Sequence, residues 1–173
     1  FISVVACFPA LLAYLYARFV PKQRLLALVV WFPALWVLVE WLRGWFLTGF
    51  PWLNLGYSQI DSPLSGFAPV LGVYGLSWLL VLASGLLVWA LDLPKSQLWK
   101  PVLLLALIWG SGGLLRTLSW SEVAGEPLSI GLVQGNVSQD RKWLEEELVP
   151  TLSLYYELSR QNLDADLLVW PES

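Results

Sequence analysis

Four apolar runs of roughly 20 residues each limit what this 173-residue chain can fold into: 1–20, 25–46, 67–91 and 98–115. A helix of that length spans the ~30 Å hydrocarbon core of a bilayer, whereas runs in soluble domains are usually shorter or patterned. Hydrophobic residues make up 57% of the chain and charged residues 13%, about half the share expected of a soluble domain. Four transmembrane helices are therefore expected rather than a wholly soluble fold.

Charge divides the sequence in two. Residues 1–118 hold seven Lys/Arg and three Asp/Glu, whereas residues 119–173 hold three and ten. We read 1–118 as a transmembrane bundle, 119–127 as a linker and 128–173 as the start of a water-exposed domain. The connection between the first two runs carries Arg18, Lys22 and Arg24, and that between the last two carries Lys95 and Lys100. By the positive-inside rule both face the cytoplasm, which puts the acidic segment on the other side. The acidic balance argues against nucleic acid as a partner. The chain begins at Phe1 and stops at Ser173 directly after a strand-like run, so both ends read as cuts in a longer protein, and nothing in it reads as a signal peptide.

Histidine is absent, which removes His-dependent triads and His-ligated zinc. The single cysteine, Cys7, lies in the first run, where it is expected to be a buried small hydrophobe. No cofactor or metal is expected. The triplet Glu145-Glu146-Glu147 reads as a solvated helix face, because consecutive helical residues point in different directions.

Twelve Trp are present, and Trp31, Trp36, Trp41, Trp45 and Trp52 crowd the second run and the loop after it. An interfacial aromatic belt is the ordinary reading. Glu40 and Arg43 stand three apart on a helix, so they are expected to face each other as an interfacial ion pair. In the alternative, Arg43 meets a lipid phosphate through its planar fork of donors while Trp45, Phe50 and Trp52 line a slot for acyl chains. Pro9 and Pro33 fall inside spans, and Gly72, Gly75, Ser84 and Gly85 are expected to supply small surfaces for helix packing.

From Leu128 the pattern turns to period two, with Leu128, Ile130 and Leu132 on one face and Ser129, Gly131 and Val133 on the other, before the turn Gln134-Gly135-Asn136. Leu144, Leu148, Leu152 and Tyr155 then recur at helical spacing over 144–160, with Pro150 able to kink or restart the helix. A second strand covers 166–170, closed by Pro171 and followed by Glu172. Strand, helix, strand opens an α/β domain, and a carboxylate just past a buried strand stands where open α/β sheets gather their catalytic groups. Glu172 is therefore the acid/base candidate, although acidic residues also cap strand ends without any such role.

The segments EWLRGWFLTGFPWLNLGYSQ, IGLVQGNV, RKW and VWPES, in that order after polytopic helices, resemble the apolipoprotein N-acyltransferase family across essentially the whole chain. The resemblance implies a transmembrane bundle joined to a nitrilase-like αββα domain facing the periplasm of a bacterial inner membrane. It implies transfer of an acyl chain from a phospholipid to the amino group of a diacylglyceryl-cysteine apolipoprotein, through a Glu-Lys-Cys triad. Glu172 matches the general base of that triad. Trp143, in the RKW segment, matches a position associated with the lipid substrate, though packing beneath a helix would equally explain it. The family's Lys and Cys lie downstream of Glu172, so this chain by itself is expected to be inactive. A membrane-anchored amidase that releases its thioester to water, and a transporter or structural membrane protein, are the other readings. No internal repeat of broken spans favours transport, and the sequon Asn136-Val137-Ser138 carries no role in a bacterial setting.

Overall fold

A computed structural model describes residues 2–171; Phe1, Glu172 and Ser173 lie outside the described residues. The chain forms two compact units, Phe1–Ser121 and Glu122–Ser173.

The first unit is helical. Helix α1 covers Ile2–Phe19, α2 Arg24–Leu26, α3 Phe32–Trp45, α4 Ala68–Ala90 and α5 Trp99–Leu115. A π turn at Ala27–Trp31 joins α2 to α3, making one continuous span. Four stretches are long and apolar enough to cross a membrane, as the sequence leads one to expect: Ile2–Phe19, Arg24–Thr48, Pro63–Ala90 and Lys95–Leu115. Pro33 sits in the first turn of α3, directly after the π turn. A wider turn leaves room for a proline ring that would otherwise strike the carbonyl four residues back, so the helix continues past it.

The centre of this unit is the α3–α4 interface, where Leu35, Val39, Leu76, Leu79 and Leu86 are buried. Helix α1 packs against α3 and has no buried residue of its own. Cys7 is thus exposed, its Sγ donating to the Ser3 carbonyl, which corrects the expectation of a buried thiol. The reason is geometric: a helix packed against α3 on one side leaves most of its circumference uncovered.

The small residues act differently from one another. Gly72 has φ 64° and breaks α4 into two helical pieces; it faces open space, so it bends the backbone and packs against nothing. Ser84 is exposed and donates to the Leu80 carbonyl, and a Cβ on Gly75 would meet only Leu71 of its own helix. Of the four residues named for packing, Gly85 alone lies against another segment, with the Leu28 carbonyl 2.2 Å from where its Cβ would stand. Closer still is the contact between the single-turn helix Pro63–Phe67 and α5, where a Cβ on Gly66 would lie 2.0 Å from the Gly112 carbonyl oxygen and 2.8 Å from the Arg116 nitrogen. Both obstacles are backbone, so Gly66→Ala should force α5 away and lower stability by about 1–3 kcal/mol. A thermal unfolding midpoint in detergent, unchanged by the substitution, would disprove that packing.

In the second unit, β1 (Ile130–Leu132) pairs in parallel with β2 (Leu167–Val169), with Gly131 opposite Leu168. Helix α6, Leu148–Arg160, connects them. The strand-helix-strand order is thus as expected, and ladder-like bonds extend it: Val133 donates to the Val169 carbonyl, and Asp166 and Leu167 to that of Ser129. Pro150 occupies the third position of α6, where a backbone N–H has no intrahelical partner in any case, so it begins the helix without kinking it. Gly131 and Val133 face inward: a Cβ on Gly131 would meet Leu168 Cδ2 at 2.7 Å, and Val133 is buried. Leu128, Ile130 and Leu132 do share a face, and that apolar face is the exposed one.

Candidate functional site

The carboxyl ends of β1 and β2 lie side by side because the strands are parallel, and the segments leaving them border one cavity of about 620 Å³. Gln134 and Asn136 reach it from β1, Trp170 and Pro171 from β2, and Leu148, Leu152 and Tyr155 from α6. The apolar face of α6 is therefore turned into an open cavity; Leu144, Leu148 and Leu152 remain exposed and no core covers them. Tyr155 and Trp170 stack at 5.2 Å between ring centroids, and Trp170 Nε1 donates to Ser159 Oγ at 2.8 Å. A side chain at Gly135 would collide with the Tyr155 ring at 2.8 Å, so this glycine lets the chain pass under the aromatic wall. Glu172, the residue next after Pro171, lies outside the described residues.

Trp143 lines the same cavity with its side chain mostly free, at 72% exposure, and Lys142 Nζ stands 5.6 Å from its ring centroid. Glu147 turns toward the loop and pairs with Arg141, so one member of the acidic triplet is not a solvated surface group. Asp140 accepts from the Ser138 hydroxyl, and this bond, with one from its own backbone N–H and the nearby Arg141, holds its carboxyl below the ordinary value of 3.8. No cluster of three or more His, Cys, Asp or Glu suited to a metal occurs among the described residues.

In the membrane unit, the Trp-rich loop is held down from below by α3. Glu40 is 2% exposed, and its Oε1 accepts from Trp36 Nε1 at 2.9 Å and from the Leu55 backbone N–H at 2.7 Å. Arg43 donates from Nε to the Phe50 carbonyl at 3.3 Å and from Nη2 to Asn54 Oδ1 at 3.0 Å. The expected Glu40–Arg43 ion pair is not formed; the described ion pairs are Arg24–Asp92 and Arg141–Glu147. Each side chain reaches forward along the loop to part-buried groups there. Gly56 completes the attachment by donating to the buried Ser77 Oγ at 2.8 Å.

The Trp residues do not form one belt. Trp36 is bonded inside, and Trp31 buries its Nε1 without a partner, whereas Trp41, Trp45 and Trp52 are exposed. Phe50 and Trp52 stack at 5.5 Å, and Trp41 meets Trp45 edge-on at 5.4 Å. A separate groove of about 380 Å³ between α1 and α3 is lined by Phe8, Pro9, Leu12, Trp36, Glu40 and Arg43, among others. Arg43, named for a lipid phosphate, borders this groove, while Trp45, Phe50 and Trp52, named for an acyl slot, are not part of its wall. Sequence reasoning passed over Asn54 and Ser77, both buried and both bonded to the loop's attachment points. Their signal was available: each is a small polar residue within an otherwise apolar run.

Residues 1–86 match the family model described as the apolipoprotein N-acyltransferase N-terminal domain. Curated relatives named apolipoprotein N-acyltransferase align with nearly the whole chain. That of Photobacterium profundum is 46% identical over 176 residues, covering 99% of this chain and 33% of the relative. That of Vibrio vulnificus is 44% identical, covering 99% and 34%, and that of Methylococcus capsulatus is 40% identical, covering 100% and 34%. The chain thus spans about a third of the length of these relatives. The matches take in the membrane spans, the Trp-rich loop and the strand-helix-strand unit, and the chain belongs to the apolipoprotein N-acyltransferase family.

Proposed function

We propose that the whole protein carrying this chain transfers an acyl chain from a phospholipid to the N-terminal amino group of a diacylglyceryl-cysteine apolipoprotein. The observation that carries this reading is the cavity at the carboxyl ends of two parallel strands, in a chain that matches so-named relatives along nearly all its length. Residues 1–118 are the transmembrane bundle, 119–127 a linker and 128–173 the opening of a nitrilase-like αββα domain. The basic loops face the cytoplasm of a bacterial inner membrane, and the second unit faces the periplasm.

In this reading Glu172 is the general base. It takes the proton of a cysteine thiol supplied from beyond Ser173, and the thiolate attacks the phospholipid ester carbonyl. A lysine from the same downstream region stabilises the oxyanion of the tetrahedral intermediate. Collapse of that intermediate expels the lysophospholipid alkoxide, which takes the proton back from Glu172. The lipoprotein amine then opens the thioester, forming the amide and restoring the thiol. Trp143, standing free at the cavity's edge, contacts the lipid, and Arg43, Trp45, Phe50 and Trp52 meet acyl chains or head groups near the outer boundary. The chain of 173 residues is inactive alone, because two of the three triad members are not in it.

The test is to incubate the whole protein in detergent with phospholipid labelled in its acyl chain. A hydroxylamine-sensitive protein label that passes to a diacylated lipopeptide is the expected result. Label released only as free fatty acid would instead establish the hydrolytic amidase-like reading, and no covalent label at all would refute both.

A further inference from the structure

The end of the bundle opposite the Trp-rich loop gathers charge from two connections far apart in sequence. Arg24, at the start of α2, pairs with Asp92, just past α4, at 2.5 Å. That contact joins the α1–α2 connection to the α4–α5 connection, and with them Arg18, Lys22, Lys95 and Lys100. Five cations thus stand against one carboxylate. Lys22 and Lys95 are exposed and have no acidic partner among the described residues. Arg24 stays 66% exposed despite its pair, Lys100 donates only to the neutral Gln97 Oε1, and Arg18 lies over the Phe19 ring. Bare apolar groups border the charges: Phe19, Leu91 (84% exposed) and Trp99 (60% exposed).

We propose that this face binds the head group of an anionic phospholipid in the adjoining leaflet. A positive-inside signal needs only that the basic residues lie on one side of the membrane; it does not need the two loops brought together or their charge left unneutralised. A phosphodiester without a compensating ammonium group matches the excess of cations, and the exposed Phe19, Leu91 and Trp99 provide the apolar contact that a lipid has and a free anion lacks. The site is distinct from the acyl-transfer cavity and does not depend on the proposed reaction, because its readout is lipid retention.

The whole protein, reconstituted in nanodiscs of equimolar phosphatidylglycerol and phosphatidylcholine, is released into native mass spectrometry and its retained lipids are counted. Phosphatidylglycerol should be enriched at least about fivefold, the effect of one cation near a head group. Lys22→Gln with Lys95→Gln should lower that enrichment by about fivefold or more, while Lys22→Arg with Lys95→Arg should keep it. Both lysines are exposed, so the substitutions leave the packing intact. Equal retention of the two lipids by the native protein, or enrichment unaffected by the glutamine pair, would overturn the proposal. Displacement of the lipid by millimolar inorganic phosphate would also overturn it, by revealing a free-anion site.

Discussion

Replacing Glu172 with glutamine in the whole protein is expected to slow formation of the acyl-enzyme about 10²–10⁴-fold, the range general-base catalysis usually supplies. Glutamine keeps the size and hydrogen-bonding reach of the side chain but cannot accept the thiol proton. The loss should therefore appear in the acylation rate at saturating phospholipid, with lipid affinity little changed. Raising the pH should restore part of the rate in the variant, because a thiol without its base ionises only as the solution approaches its own pKa. A variant that acylates at the native rate would remove Glu172 from the proton-transfer step. A variant that loses lipid affinity and keeps its rate would make the residue a binding group.

What could be read from the sequence follows the range of the forces involved. The spans were legible because bilayer thickness converts directly into run length: 25–46 expected against Arg24–Trp45 found for the pieces of the second span, and 98–115 against Trp99–Leu115 for the fourth. The strand-helix-strand order was legible from local periodicity alone, although α6 begins at Leu148, after a single 3₁₀ turn at Glu145–Glu147, and not at Leu144 where the helical spacing starts. Contacts set by an irregular loop were not. Glu40 and Arg43 have the spacing of a helical ion pair, yet both are drawn to loop groups, Leu55 in one case and Phe50 and Asn54 in the other. Nothing in local spacing announces where a loop with Leu47, Thr48 and Gly49 all at positive φ will bring its backbone. Likewise Gly72 looked like a packing surface because small residues in spans usually are; its left-handed φ depends on how the chain enters α4. The site was legible as a position, the end of β2, but not as a cavity. Its walls come from Trp143, Tyr155 and Trp170, which only the parallel pairing of β1 and β2 brings together.

The loop's attachment makes Glu40 the membrane residue whose loss should matter most for stability. Glu40→Ala strands two donors at once, Trp36 Nε1 and the Leu55 N–H, in a place without water to replace the carboxylate. Each stranded donor costs about 1–3 kcal/mol, and removal of the unpartnered Oε2 returns part of that, so a net loss of about 2–4 kcal/mol is expected. Glu40→Gln retains one oxygen for both donors but places its amide nitrogen where Oε2 has no partner, so it should cost about 1–2 kcal/mol, less than Glu40→Ala. The contrast between the two substitutions separates acceptor geometry from charge. It can be read from the unfolding midpoint in detergent and from limited proteolysis of 46–60, which should become the first site of cleavage in Glu40→Ala and stay protected in Glu40→Gln. If the two variants lose stability equally, the negative charge itself holds the loop, and the hydrogen bonds to Trp36 and Leu55 are secondary. If neither loses stability, Arg43 with Asn54 and Ser77 with Gly56 suffice to hold the Trp-rich loop against α3 and α4.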